Sequence, residues 1–260
     1  MCRLAGYIGD PISLQSLIIE PEHSLIEQSL EAQEAKLSVN GDGFGVAWHD
    51  ELDEPGVFKH TQPAWSDQNL LSIARHIHAP SILAHVRAAT DGAIIHTNCH
   101  PFTQGKWAFA HNGQIGGFAE LRRSLENVLP DDLYSKRQGT TDSELLFLLL
   151  LHFGLEDNPL TAIKETISLV LDKAKAKAVQ KPFKFTAICS SKDRLIALRY
   201  ASNGRAPTLY SNWSMAKVGV VVASEPLTAD SDEWTEVPTS SVLVLDGTAQ
   251  TSCSLAAVNG

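Results

Sequence analysis

The first residue of this chain whose position suggests chemistry is Cys2, directly behind the initiator methionine. Cysteine is small enough for Met1 to be trimmed, and trimming leaves a thiol and a free α-amine on one residue. An α-amine titrates at about 7.7–8.0, near working pH, so it can accept the thiol proton without a histidine partner. One residue then supplies both nucleophile and base. Taken alone, a Met-Cys opening more often marks a packed thiol or a lipidated cysteine, so other groups must decide.

Three further groupings bear on the question. Arg87 sits in His85-Val86-Arg87-Ala88-Ala89-Thr90, at the end of an apolar run that reads as a buried strand. A buried arginine needs an anion, and its planar fork suits a substrate carboxylate as well as an internal acid. His111-Asn112-Gly113 reads as a strand-to-turn junction. There the Asn112 amide and the Gly113 N–H can hold one developing oxyanion, although Asn-Gly is also a plain turn signal. Thr140-Thr141-Asp142-Ser143-Glu144 opens a helix. Its acids cap that helix, and the Asp142 carboxylate also suits a substrate ammonium; both roles are compatible.

A nucleophile, an oxyanion hole, a cation and an anion together describe one ligand: an α-amino-acid head group with an amide further along its side chain. Rival readings are a metal hydrolase, an acylase for another amide and a binding subunit without turnover. His96 and His100 have i,i+4 spacing, but Thr97 stands where a zincin requires Glu, so no metal and no other cofactor is expected.

The elements that must carry these residues are strands and helices in blocks. Strands are expected at Arg3–Ile8, Gly43–His49, Ser81–Arg87 and Trp107–His111, and helices at Leu70–Ile77 and from Asp142 through Leu151. Asn158 and Pro159 give the cap and first residue of a further helix. Strands then follow at Phe185–Ser190, Arg194–Tyr200, Val218–Ala223 and Val242–Leu245, with Asp246-Gly247 as a hairpin turn. Segregated blocks of this kind favour α+β with packed antiparallel sheets. Glu51–Pro55 and Leu129–Gly139 read as loops that set preference for the leaving group.

Bulk properties narrow the classes. The 260 residues are 43% hydrophobic and 20% charged, with a net charge of −9, which suits a globular protein that repels phosphate backbones and anionic lipid. No nucleic-acid or membrane role is expected. The longest apolar run, Leu145–Leu151, is too short to span a bilayer. No apolar leader core precedes Asp10-Pro11, so a cytoplasmic location is expected. The four cysteines are widely spaced with no Cys-x-x-Cys pair, which points to free thiols.

In this order, the motifs Met1-Cys2-Arg3, Asn40-Gly41-Asp42-Gly43-Phe44-Gly45, His85 to Thr90, Thr97-Asn98-Cys99-His100-Pro101-Phe102, His111-Asn112-Gly113, Thr141-Asp142-Ser143-Glu144 and Ala223-Ser224-Glu225-Pro226-Leu227 resemble the class II glutamine amidotransferases of the N-terminal nucleophile hydrolase superfamily. Stand-alone γ-glutamyl amidohydrolases are the most similar members. The resemblance implies a four-layer αββα sandwich of two antiparallel sheets, as a single domain over 2–260 with Met1 removed. It implies Cys2 as nucleophile, Asn112 and Gly113 as oxyanion hole, and Arg87 and Asp142 as head-group clamps. Thr90 and His100 match positions near the glutamyl pocket. Ser224 and Glu225 match a segment to which the sequence assigns no role. The implied substrate is a small γ-glutamyl molecule, handled alone, as a homo-oligomer or with a separate partner subunit.

Overall fold

Strands that are apolar at nearly every position, rather than at every second one, ask to be covered on both faces. The computed structural model, which describes residues 2–34, 39–89, 92–216, 219–247 and 249–255, meets that demand with two stacked sheets, each backed by helices. The strands are β1 (Arg3–Ser13), β2 (Phe44–His49), β3 (Gly56–His60), β4 (His78–Val86), β5 (Phe102–Gln104), β6 (Trp107–Gln114), β7 (Lys184–Ser190), β8 (Arg194–Ala201), β9 (Tyr210–Ala216), β10 (Gly219–Ala223), β11 (Thr235–Glu236), β12 (Ser241–Asp246) and β13 (Ala249–Ser254). The first sheet runs β11-β9-β10-β1-β4-β2-β3 and the second β13-β12-β8-β7-β6-β5. Every pairing is antiparallel.

Alternation along the strands sorts side chains into layers. Leu4 and Ile8 of β1, Leu83 of β4 and Ala108 and Ala110 of β6 meet Ile188, Leu195 and Val222 between the sheets. Ala5 and Tyr7 face outward onto α1 (Leu14–Ile18), α2 (Leu25–Leu30) and α3 (Gln68–His76). On the other side, Phe109 and Phe185 face α4 (Phe118–Glu126), α6 (Asp142–His152) and α7 (Pro159–Ala176), with the short α5 (Asp131–Tyr134) between them in sequence. This is the αββα order. Helix α6 is buried along Ser143–Leu150, which explains its unbroken apolar run.

The expected helices and strands are present, most with bounds shifted by a residue or two, and β1 runs past its expected end at Ile8 to Ser13 with a register shift between Ile8 and Ile12. Two further details differ. The strand read as stopping at His111 continues through Asn112 and Gly113, which pair with Thr186 and Phe185 of β7. The turn signal is overridden because β7 offers a full ladder, and the glycine answers close approach instead of turn geometry. A Cβ on Gly113 would collide with the Lys184 carbonyl oxygen. Secondly, Val218, where a strand was expected to begin, lies outside the described residues; β10 starts at Gly219.

Candidate active site

Cys2, Arg87 and Asn112 continue the inward-facing rows of Leu4, Leu83 and Ala110 at one end of the sheet pair. The Cys2 thiol is half-buried and donates to the Ala88 carbonyl, 3.6 Å away. Burial raises its pKa above the ordinary thiol value, and the Arg87 and Arg3 guanidiniums oppose that rise. As it stands, the thiol needs a base.

Arg87 is buried just past β4 and is held by the strap that leads into β2. Its N–H donates to the Gly43 carbonyl at 2.8 Å, and its own carbonyl accepts from Asp42 N–H at 3.0 Å. The Asp42 carboxylate accepts from Ala89 N–H at 2.8 Å. The Arg87 guanidinium reaches the carbonyls of Asp42 and Ala93, each at 3.4 Å. Thus Asp42 and Gly43, within the Asn40–Gly45 motif, fix the segment that carries Arg87 beside the thiol.

Asn112 is buried, and its Nδ2 donor has no partner among the described residues. A buried amide donor without an acceptor costs about 1–3 kcal/mol, so its retention points to an acceptor supplied from outside the chain. One residue back, His111 faces the opposite layer. Its Nε2–H donates to the Lys184 carbonyl at 3.1 Å, which leaves Nδ1 to accept from the Ser143 hydroxyl at 2.9 Å. Burial lowers the His111 pKa, with Asp142 opposing, which keeps the ring neutral for that arrangement.

Asp142 opens α6 behind the N-cap Thr141, whose hydroxyl accepts from Glu144 N–H at 3.2 Å. One Asp142 oxygen accepts from Ile115 N–H at 2.7 Å; the other makes only a 3.4 Å contact with Ser143 Oγ. That oxygen is free enough to take a cation. Gly92, Gly113, Thr140 and Asp142 line a cavity of about 510 Å³, which continues toward Arg122 and Lys181. Gly92 is also beside Arg87, since a Cβ there would be 3.9 Å from Nη2. Arg87 and Asp142, expected from the sequence to hold a head group, therefore stand on two sides of one cavity. Among the described residues there is no group of three His, Cys, Asp or Glu that could hold a metal.

The family described as class II glutamine amidotransferases matches residues 19–203, more than half of the chain. The chain belongs to that family. This amidotransferase is 33% identical to the probable glutamine amidotransferase DUG3 of Saccharomyces cerevisiae, over 94% of the chain and 82% of the relative. It is 28% identical to the γ-glutamyl-hercynylcysteine sulfoxide hydrolase of Mycolicibacterium smegmatis, over 92% of each. A solved glutamine aminotransferase class-II domain protein from Silicibacter pomeroyi superimposes with a TM-score of 0.76 at 33% identity, covering 97% of the chain and 99% of that protein.

In this amidotransferase the remaining expected residues are placed as follows. His100 is buried and stacks on His85 with ring centroids 4.1 Å apart; the His100 ring has no hydrogen-bond partner among the described residues, and the His85 ring lies near the His111 backbone. Burial is the largest cause lowering both pKa values, that of His85 to about 3. The His100 side chain is buried and is not among the residues that line the cavity, and its carbonyl oxygen occupies the space a side chain at Gly45 would need. Thr90 lies outside the described residues. The segment Glu51–Pro55 is at the wrong end: β2 pairs Phe44 with Val86 beside the site and His49 with Ser81 at the far edge. That is roughly 17 Å of strand away, so it does not shape the leaving-group side. Leu129–Gly139 holds α5, and Glu144 fixes its end by accepting from Gln138 and Gly139 N–H at 2.8 and 2.7 Å.

Sequence reasoning missed Asn98. Its Oδ1 accepts from Thr140 N–H at 2.9 Å, while its Nδ2 donates to the Ala93 carbonyl at 3.0 Å and to Thr140 Oγ1 at 3.2 Å. It ties the Arg87 side of the cavity to the Asp142 side. Its only signal was its place in Thr97–Phe102.

Proposed function

We propose that the chain hydrolyses the γ-glutamyl amide bond of a small substrate through Cys2, once removal of Met1 frees the α-amine. The amine takes the thiol proton, and the sulfur attacks the γ-carbonyl. The tetrahedral oxyanion is held by Asn112 Nδ2 and the Gly113 N–H, while Arg87 and Asp142 bind the α-carboxylate and α-ammonium. Collapse expels the amine product with the proton returned from the α-ammonium and leaves a γ-glutamyl thioester. Water adds to the thioester, releases glutamate and restores the thiol.

The observation that carries this reading is the buried, unpartnered amide of Asn112 at the same strand end as Cys2. The hydrolase relative, named for a γ-glutamyl substrate, supports a glutamyl ligand. Glutamate release from a panel of γ-glutamyl amides tests it. The parent chain should turn over at least one of them, and Cys2→Ala should turn over none. Appreciable turnover by Cys2→Ala removes Cys2 from the chemistry.

A further inference from the structure

A nucleophile at a chain end faces a problem that an internal one does not, because termini fray unless something ties them down. On one side β1 is held by β4 as far as Arg3, which pairs with Val86. On the other side the ladder with β10 ends at Ala5 and Ala223. Beyond Ala223 the chain reads Ser224-Glu225-Pro226, and proline offers no N–H and holds the residue before it extended.

Ser224 continues the lost ladder by other means. Its N–H donates to the Leu4 carbonyl at 2.9 Å, and its hydroxyl accepts from Leu4 N–H at 3.0 Å, where a strand would have offered a backbone carbonyl. Glu225 then acts in two directions. Its Oε1 lies 3.0 Å from Nε of the fully buried Arg3, and its two oxygens accept from Gln33 and Glu34 N–H at 3.0 and 2.8 Å. Arg3 points to the layer opposite Cys2, so the pair anchors the chain end from behind the sheet. Burial lowers the Arg3 pKa and Glu225 opposes it, the pattern of a buried cation that depends on its acid. Removing either partner leaves an uncompensated charge in the interior.

We infer that Ser224 and Glu225, with Arg3, form a positioning clamp that keeps the first residues of β1 in place so that Cys2 meets the oxyanion donors. This rests on Cys2 being the nucleophile. None of the three needs to touch the substrate.

The test compares Ser224→Ala and Glu225→Gln with the parent full-length chain. It measures kcat and KM for glutamate release, and the rate at which iodoacetamide labels each cysteine, read by peptide mass spectrometry. Misplacement of a reacting group costs rate far more than binding, so kcat should fall at least about tenfold with KM nearly unchanged. Because Cys2 is half-buried when clamped, its labelling should speed up severalfold in the same variants. Cys189, buried in β7, should keep the parent rate, which separates a loosened chain end from global unfolding. Ser224→Thr, which keeps the hydroxyl, should recover kcat if the variant folds. Should Glu225→Gln not fold, Ser224→Ala carries the test alone, since it removes a single hydrogen bond. Parent-like kcat and Cys2 labelling overturns the clamp, as does a kcat loss matched by faster Cys189 labelling. Labelling needs no γ-glutamyl substrate, so failure of the proposed function and failure of the clamp read out separately.

Discussion

The two ends of the sheet pair treat polar groups in opposite ways. At the end that carries Cys2, the Asn112 amide nitrogen, the His100 ring and the Arg3 guanidinium nitrogens, which have only the ion pair to Glu225, are buried without hydrogen-bond partners among the described residues. At the far end Lys106 pairs with Glu156 at 2.6 Å, Trp107 Nε1 donates to the same carboxylate at 3.0 Å, and Arg194 pairs with Asp246 at 2.5 Å. Among the described residues, His49 Nδ1 and Ser81 Oγ break that pattern there. The far end is settled within the chain, mostly at the surface, where such pairs are worth about 0–1 kcal/mol. Of the buried groups at the site end, the Asn112 amide is the one that the proposed substrate would complete.

Asn112→Ala breaks this comparison hardest. Loss of one oxyanion donor should lower kcat about 10²–10³-fold, or about 2.7–4 kcal/mol, with little change in KM. Thermal stability should hold or rise, because the variant removes an unsatisfied buried donor. A destabilised variant with normal kcat would make Asn112 a structural residue.

The buried histidines sharpen it next. The pKa of His85 is lowered to about 3 and that of His49 to about 4, so both stay neutral in the fold while the unfolded chain protonates near 6.5. Above pH 6.5 neither state binds the extra proton and stability is at its plateau. As pH falls from 6.5 toward those folded values, the unfolded state gains protons first, and each histidine removes about 1.4 kcal/mol per pH unit. Chemical denaturation should therefore show a loss of roughly 1.6 kcal/mol per histidine between pH 6.5 and 5. A flat profile over that interval would mean that the rings titrate normally.

The smallest effect belongs to the far end. Arg194→Ala removes a half-exposed pair with Asp246 and should change stability by no more than about 1 kcal/mol. Its kcat should equal that of the parent; a large loss would show that the far end reaches the chemistry.

Much of the frame was legible in residue patterns, for a definite reason. The run Leu145–Leu151 is apolar throughout and Ile82–Ala84 is apolar within its strand because their elements are covered on both sides, and the Asn158-Pro159 start of α7 is a local signal that tertiary packing had no cause to override. Asn112-Gly113 was misread because a local turn signal competes with a long-range ladder to β7, and separation along the chain hides that partner. The same blindness concealed Glu225, whose partners Arg3, Gln33 and Glu34 are about two hundred residues away. Residues that act through the backbone, such as Asp42 and Asn98, leave no chemical signature in a sequence beyond their type.

The central claim is that the α-amine and thiol of Cys2 act together, and intact mass spectrometry of the purified, active chain tests it most directly. With glutamate release assayed on the same sample, the expected result is a chain lacking Met1 that forms a γ-glutamyl adduct on Cys2 during turnover. Full activity from a chain that still carries Met1 would contradict the claim.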